Sequence, residues 1–341
     1  LTDHTAAESY FQRALALYRA FNDPLGVASC LNNLGIVADI RSEYDAAESY
    51  YQQSLDLSRE IGHTAGMARG LNNLGILARL RGKFETADAY YQQSLTLFHE
   101  IGHNQGMARI LNNLANIAAD RGEFSAANDY YLRSLAISHE LGDPYGIGMV
   151  LNNLGEVANE LGEFTTAAEY FQQSLALQRE IGDSEGMALV LNNLGTVAHF
   201  SKEYSLAEAY YQESITLYRE IGEPRGIALS LSKLSDMAFE QGQPSLLAYL
   251  CQGLTTSLAI GTLPITLTLL VTAARRALQA GQTAEAAAIA GLVDTNAATL
   301  QKLREQGLAR LIDELLAVLP SAELANLMAE GAGFDPEIMA R

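Results

Sequence analysis

The sequence predicts an all-α solenoid of antiparallel helical hairpins. Three observations carry this. The word LNNLG stands at 31–35, 71–75, 151–155 and 191–195, reads LNNLA at 111–115 and wears down to LSKLS at 231–235, each copy 40 residues after the last. Self-similarity at a fixed period in the range of about 20–50 residues marks stacked repeats. Within each copy, apolar residues fall into two runs at helical spacing. A glycine then closes the copies at 62, 102, 142, 182 and 222, where a helix C-terminus calls for a residue tolerant of positive φ.

The elements follow in order. A lone second helix is expected over 5–21. The first complete unit, residues 24–62, reads PLGVASCLNNLGIVADIRSEYDAAESYYQQSLDLSREIG. Val27, Leu31, Leu34, Val37 and Ala38 predict a first helix over 24–40, RSEY interrupts it, and Tyr44, Ala47, Tyr51, Leu55, Leu57 and Ile61 predict a second over 44–61. Asp23-Pro24 and Asp143-Pro144 each supply an N-cap residue and a proline at the first helical position. Five clear units repeat this plan, and a sixth, from Gly226, is degenerate. After Gln243 the register dissolves. Residues 245–260, 264–280 and 283–297 still read as helices, with Gly261, Pro264 and Gly281 as punctuation. A long amphipathic helix is expected over 299–319, another near 322–330, and a short last one after Asp335-Pro336. The expected organisation is a partial repeat at 1–22, an array over 23–243, and degenerate repeats with a helical cap over 244–341; a solenoid needs an end that hides its apolar face.

The order Leu31, Leu34-Gly35, Tyr44, Ala47, Tyr51 resembles the tetratricopeptide repeat. The units are longer than the usual length of about 34 residues, as in the kinesin-light-chain and Pins-like members. The resemblance covers residues 1–243. It implies a right-handed superhelix with first helices on a concave inner wall, second helices outside, and a protein or peptide bound in the groove. Ala38 and its equivalents depart from the family, which often has Tyr there. A second resemblance covers about 283–341: EAAAIAGLVD and LARLIDELLAVLPSAELANLMAEGAGFDPEIMA look like the tail of bacterial signal-transduction ATPases of the STAND class. It implies a ligand-sensing or partner-recruiting arm of a larger bacterial protein. No GxxxxGK[ST] occurs, so the ATPase would lie upstream of residue 1. Leu1 in place of Met, and an opening partway through a repeat, suit an excised piece. A free-standing adaptor and an oligomerisation scaffold are the alternatives.

Two adjacent asparagines in every copy need a reason, because Asn is a mediocre helix former. The amides could bond between repeats and fix their rotation, or face the groove and grip a peptide main chain with one acceptor and two donors. The second of each pair, Asn33, Asn73, Asn113, Asn153 and Asn193, is expected in the groove, at the position where peptide-binding members of the family place a backbone-gripping Asn; the first, Asn32 and its equivalents, is expected to be structural. Specificity would come from the positions that vary along the same helix face, among them Arg69, Arg79, Arg109, Asn116, Glu156, Asn159 and His199. The early arginines against Glu156, Glu160, Asp236 and Glu240 predict a bipolar groove. The Tyr-Tyr pairs are expected to pack between helices with their hydroxyls near solvent.

A formal charge of −18 and no cluster of Lys and Arg argue against nucleic acid or an anionic membrane as partner. Two distant cysteines, Cys30 and Cys251, fit a reducing, cytoplasmic setting and make no metal motif. His63 and His103 stand where other copies carry Asp or Glu and are expected to cap or turn. No catalytic constellation, metal site or cofactor is expected. Phe11, Leu15 and Leu17 predict an apolar N-terminal edge that could self-associate.

Overall fold

The computed structural model describes residues 2–296, 309–319 and 328. Among the described residues the regular elements are all helices, in two compact units, Leu1–Glu163 and Phe164–Arg341. The first unit holds α1 (Thr2–Ala20), α2 (Pro24–Ile40), α3 (Tyr44–Glu60), α4 (Thr64–Leu80), α5 (Phe84–Glu100), α6 (Asn104–Asp120), α7 (Phe124–Leu141) and α8 (Pro144–Glu160). The second holds α9 (Phe164–Ile181), α10 (Ser184–Phe200), α11 (Tyr204–Ile221), α12 (Pro224–Glu240), α13 (Leu246–Ala259), α14 (Leu263–Gln279), α15 (Thr283–Asn296) and α16 (Ala309–Leu316). Within each unit consecutive helices pack together, and the first helices α2, α4 and α6 also touch in succession, as do α10 and α12.

The turns explain the period. Gly62, Gly102, Gly142, Gly182 and Gly222 all take positive φ after second helices, as their spacing predicts. The turn inside each hairpin does the same, at Ser42, Gly82, Gly122, Gly162, Lys202 and Gly242. At Gly62 φ is +67° and an added Cβ would meet nothing within 4 Å. Glycine therefore answers to the backbone there and not to space. At the other helix end, Asp23, Asp143 and Asp183 cap their helices by accepting from the N–H of Gly26, Gly146 and Gly186 at 3.0 Å.

Each core cluster joins one hairpin to the first helix of the next. Ala38, Ala47, Tyr51, Leu55, Leu71, Leu74 and Leu77 form one, and Ala87, Tyr91, Ile110, Leu114 and Ile117 belong to its successor. Ala207, Tyr211, Ile215, Leu231, Leu234 and Met237 repeat the arrangement in the second unit. This is nearest-neighbour burial, with each large side chain contributing about 1.5–3 kcal/mol on leaving water. Small residues make room for it: a Cβ on Gly75 would stand 2.5 Å from Tyr91 Cε1.

Two expectations need correction. The second tyrosine of each pair is not near solvent: Tyr51, Tyr91, Tyr131 and Tyr211 are buried, and burial pushes their phenols up from the ordinary value. The first members, Tyr50, Tyr90, Tyr130 and Tyr210, are half-buried. At the N-terminal edge, Leu15 is buried against Cys30, Leu31 and Leu34, with Phe11 packed on the same cluster. The large apolar side chains left exposed here are Tyr10, Leu17 and Tyr18 on α1 and Phe21 in the turn after it. His63 and His103 both stand at the turn before a helix, as their spacing predicts; His63 makes no side-chain capping bond, whereas His103 Nδ1 accepts from Gly106 N–H at 2.9 Å. Of the helix expected over 299–319, residues 299–308 lie outside the described residues, as do the helices expected at 322–330, apart from residue 328, and after Asp335. The part that is described contains α16, whose Leu311 and Leu315 pack on Leu267, Leu270, Ala287 and Val293.

Candidate functional site

The asparagines form a ladder. Asn73 Nδ2 donates to Asn32 Oδ1, Asn113 Nδ2 to Asn72 Oδ1, and Asn153 Nδ2 to Asn112 Oδ1, each at 2.9 Å. The second amide of one repeat thus bonds the first amide of the repeat before. Asn72 Nδ2 also donates to Asn73 Oδ1 at 3.1 Å, so Asn113, Asn72, Asn73 and Asn32 form one continuous chain of polarised amides. The first of each pair, Asn72, Asn112, Asn152 and Asn192, is buried; the second, Asn33, Asn73, Asn113, Asn153 and Asn193, is half-buried. Each donor that bonds backwards spends one N–H and keeps another, while the oxygens of Asn73 and Asn153 also accept from the first amide of their own pair. In the second unit Asn192 Nδ2 donates to Ser230 Oγ at 2.6 Å, Ser230 standing in the worn copy.

A second ladder runs beneath the first and escaped the sequence reading. Ser54, Ser94 and Ser134 are buried and donate to the carbonyls of Ala28, Ala68 and Ala108 at 2.7–2.8 Å. Ser214 bonds Ala188 O in the same way at 2.7 Å. The signal was present, since Ser recurs at 54, 94, 134, 174 and 214, each three residues after the buried aromatic of its helix. It was overshadowed by the asparagines.

The variable positions divide. Arg69 and Arg109 are exposed, with no ion pair or hydrogen bond among the described residues. Arg79 is engaged: its Nε lies 2.7 Å from Asp120 Oδ2. Burial lowers the Arg79 guanidinium, and Asp120 more than restores it, so the net direction is upward. Asn116 accepts from Tyr131 Oη at 2.5 Å, and Glu156 accepts from Asn152 at 2.9 Å. Asn159 is half-buried, with Oδ1 unbonded among the described residues. His199 Nε2 lies 2.9 Å from Glu240 Oε2, and its ring stacks on Phe200 at 5.9 Å. Asp236 accepts from Thr272 Oγ1. Burial drives its carboxyl up, against Thr272, Lys233 and His199, which pull it down, while Glu240 adds to the rise. Of the sequence-predicted cations, then, Arg69 and Arg109 stand open and Arg79 does not.

The same helix face carries exposed apolar side chains, Ile36 and Ile40 on α2 and Leu80 on α4. Arg69, Asn73, Ile76 and Leu80 fall at helical spacing along one side of α4. A cavity of about 400 Å³ opens beside this face and is lined in part by Asn33, Ser58, His63, Gly66 and Arg69. Among the described residues, no group of His, Cys, Asp and Glu is arranged to hold a metal, and no helix is long and apolar enough to cross a membrane.

Stacked hairpins with small-residue contacts and bonded inner helices define a helical-repeat protein of the solenoid class. The family is also given by sequence: the tetratricopeptide repeat profile matches residues 1–60, 66–139 and 146–220, and the chain belongs to that family. No curated protein matches the sequence. Among solved structures, BtubC (BKLC) from P. vanneervenii is similar at 21% identity, with TM-score 0.56 over 64% of this chain and 92% of that one. The Rap conjugation gene regulator of plasmid pLS20, solved with the Phr* peptide, is similar at 14% identity, with TM-score 0.60 over 92% of this chain and 79% of that one. A Rap protein complexed with competence and sporulation factor matches 97% of this chain and 99% of its own at 11% identity and TM-score 0.58. At these identities the likeness is one of fold.

Proposed function

We propose that this chain binds a peptide, or an extended segment of a protein, along the amide-bearing face of its first helices. One observation carries the reading: a constant row of amides is flanked by exposed side chains that change from copy to copy, Ser29, Arg69, Arg109 and Met149 on one side and Ile40 and Leu80 on the other. A constant frame with a variable rim suits a main chain gripped by amides and side chains chosen at the edge. The two Rap relatives support it, one solved with a peptide and one with a competence and sporulation factor. The wider reading is a ligand-sensing or partner-recruiting arm of a STAND-class signalling protein, supported by the tail resemblance over 283–341. A GxxxxGK[ST] motif in the coding sequence before residue 1 would favour the arm, and its absence a free-standing adaptor. Self-association is the second reading, favoured by exposed Tyr10, Leu17 and Tyr18 on α1 and Phe21 just after it; light scattering across a concentration series tests it.

The first reading is tested by selecting displayed random dodecapeptides against the chain and measuring the enriched ones by fluorescence anisotropy. Arg109→Ala and Leu80→Ser change exposed side chains and leave the ladder intact. Weakening of about ten-fold by either, about 1.4 kcal/mol, supports the reading. Failure to enrich any peptide, or binding indifferent to both variants, overturns it.

A further inference from the structure

In one repeat three features that occur separately elsewhere meet in one place. Beneath the glycine in the first turn of each first helix lies one side chain of the preceding second helix: Tyr18 under Gly26, Phe98 under Gly106 and Tyr218 under Gly226, but Gln178 under Gly186 and Ser138 under Gly146, where Asp183 and Asp143 also stand close. Under Gly66 that place is taken by Ser58, as it is by Ser138 under Gly146, and the volume that a ring fills in three copies is left open here without a carboxylate at the cap. Ser58 is 0% exposed, and its Oγ has no hydrogen-bond partner among the described residues. An unbonded buried hydroxyl is costly, about 1–3 kcal/mol, and calls for an occupant. The cap is missing too. Gly26, Gly106, Gly146 and Gly186 each give their N–H to a side chain at the N-cap, but the α4 N-cap, His63, makes no such bond. A Cβ placed on Gly66 would stand 2.5 Å from Ser58 Oγ and 2.6 Å from His63 Nδ1, so both polar atoms converge on this helix start. Arg69 lines the same cavity and has no ion pair among the described residues. In a chain of net charge −18, no carboxylate lines it.

We propose that this cavity, walled by α2, α3 and α4, takes a carboxylate: an acidic side chain of the bound peptide, seated on the open first turn of α4, with Ser58 donating and Arg69 closing over it. The groups that meet there are an unbonded hydroxyl, an uncapped helix start and an unpaired guanidinium, and a carboxylate satisfies all of them. The histidine helps by its identity, since Asp or Glu at the cap would both occupy the helix start and repel an anion. The next repeat shows the closed alternative. There Arg109 stands in the place of Arg69, but Phe98 fills the space and His103 caps Gly106.

The proposal rests on the peptide-binding reading only for what presents the carboxylate, so its test uses a small probe. The ¹⁵N-labelled chain is titrated with N-acetyl-L-glutamate methylamide, with N-acetyl-L-glutamine methylamide as neutral control, and the Gly66 amide is followed by transverse-relaxation-optimised NMR. A saturable Gly66 shift with the glutamate probe alone is expected. Arg69→Gln should weaken it about ten-fold. Ser58→Phe, the residue the next repeat carries, should abolish it. Equal response to the glutamine probe, no saturable shift, or a titration unchanged in both variants overturns the proposal. Arg69→Gln alters only an exposed side chain, so the test stands even if Ser58→Phe folds poorly. Dodecapeptides that bind while the probe does not would sink the cavity and leave the peptide reading; the reverse would sink the peptide reading alone.

Discussion

Asn72→Ala separates the joining role of the amides from any gripping role. Asn72 is 6% exposed and makes two side-chain bonds, accepting from Asn113 at 2.9 Å and donating to Asn73 at 3.1 Å. Each neutral bond nets about 0.5–1.5 kcal/mol. Their joint loss costs about 2 kcal/mol, and the better helix propensity of Ala returns about 0.6 kcal/mol. Asn113 is half-buried, so water can replace its lost partner and no full desolvation penalty is added. The net expectation is a loss of about 1–1.5 kcal/mol. Asn33→Ala is the internal control, because Asn33 has no hydrogen-bond partner among the described residues. That variant should gain about 0.5 kcal/mol from propensity alone. Solenoids unfold by neighbouring segments, and a single global free energy is ill defined for them. The assay is therefore native-state hydrogen exchange of the α4 and α6 amides, beside urea denaturation. Opposite signs for the two variants are expected. A common sign and size would show that the bonds across repeats contribute nothing to the join.

Ser94→Ala removes the buried bond to Ala68 O and should cost about 1 kcal/mol, read as faster native-state hydrogen exchange of the α4 and α5 amides; a change below about 0.3 kcal/mol would make the serine ladder incidental. The Asp236 carboxyl is raised above the ordinary value, chiefly by burial. Between the ordinary and the raised value the native state holds the extra proton, so this group's contribution to stability is full below that window and is lost as pH rises through it. Asp236→Asn should therefore stabilise the chain more at about pH 7 than at about pH 4, and melting curves that stay parallel across that range refute it. Cys251 is exposed, whereas Cys30 is buried and its thiol is raised by desolvation; iodoacetamide should label Cys251 in the native chain and Cys30 only on opening of α2, with equal rates counting against the packing described.

Periodicity made the hairpins legible because each is held by the same few contacts. Leu31, Leu34, Ala47 and Tyr51 recur since every copy must bury the same face, and Gly62 recurs since every second helix must end in the left-handed region. The joins between copies were less legible. A bond such as Asn73 to Asn32 links residues 41 apart, and nothing in a single helix face says that the second amide of one repeat meets the first of the preceding one. The same offset connects Arg79 to Asp120 and His199 to Glu240. It is a property of how first helices lie beside one another, which sequence spacing within one unit does not encode. For that reason a residue expected to be free, Arg79, proved to be paired, and residues expected to divide into structural and binding members proved to be bonded to each other.

This changes where function should be sought in such a chain. A position that is constant in every copy serves what the copies share, the frame and a uniform grip on a main chain, and the ladder shows the amides joining the frame. Recognition has to come from departures. A departure is informative when it leaves a physical deficit and not merely a different residue. Ile40 and Leu80 replacing each other along the rim alter taste without leaving anything unsatisfied. Ser58, His63 and Arg69 are different: a missing ring, a missing cap and a missing counter-ion coincide at the start of α4. Each deficit alone would be a small loss of stability that the neighbouring repeats could absorb. That all three can be made good by one carboxylate is the reason to regard them as a site.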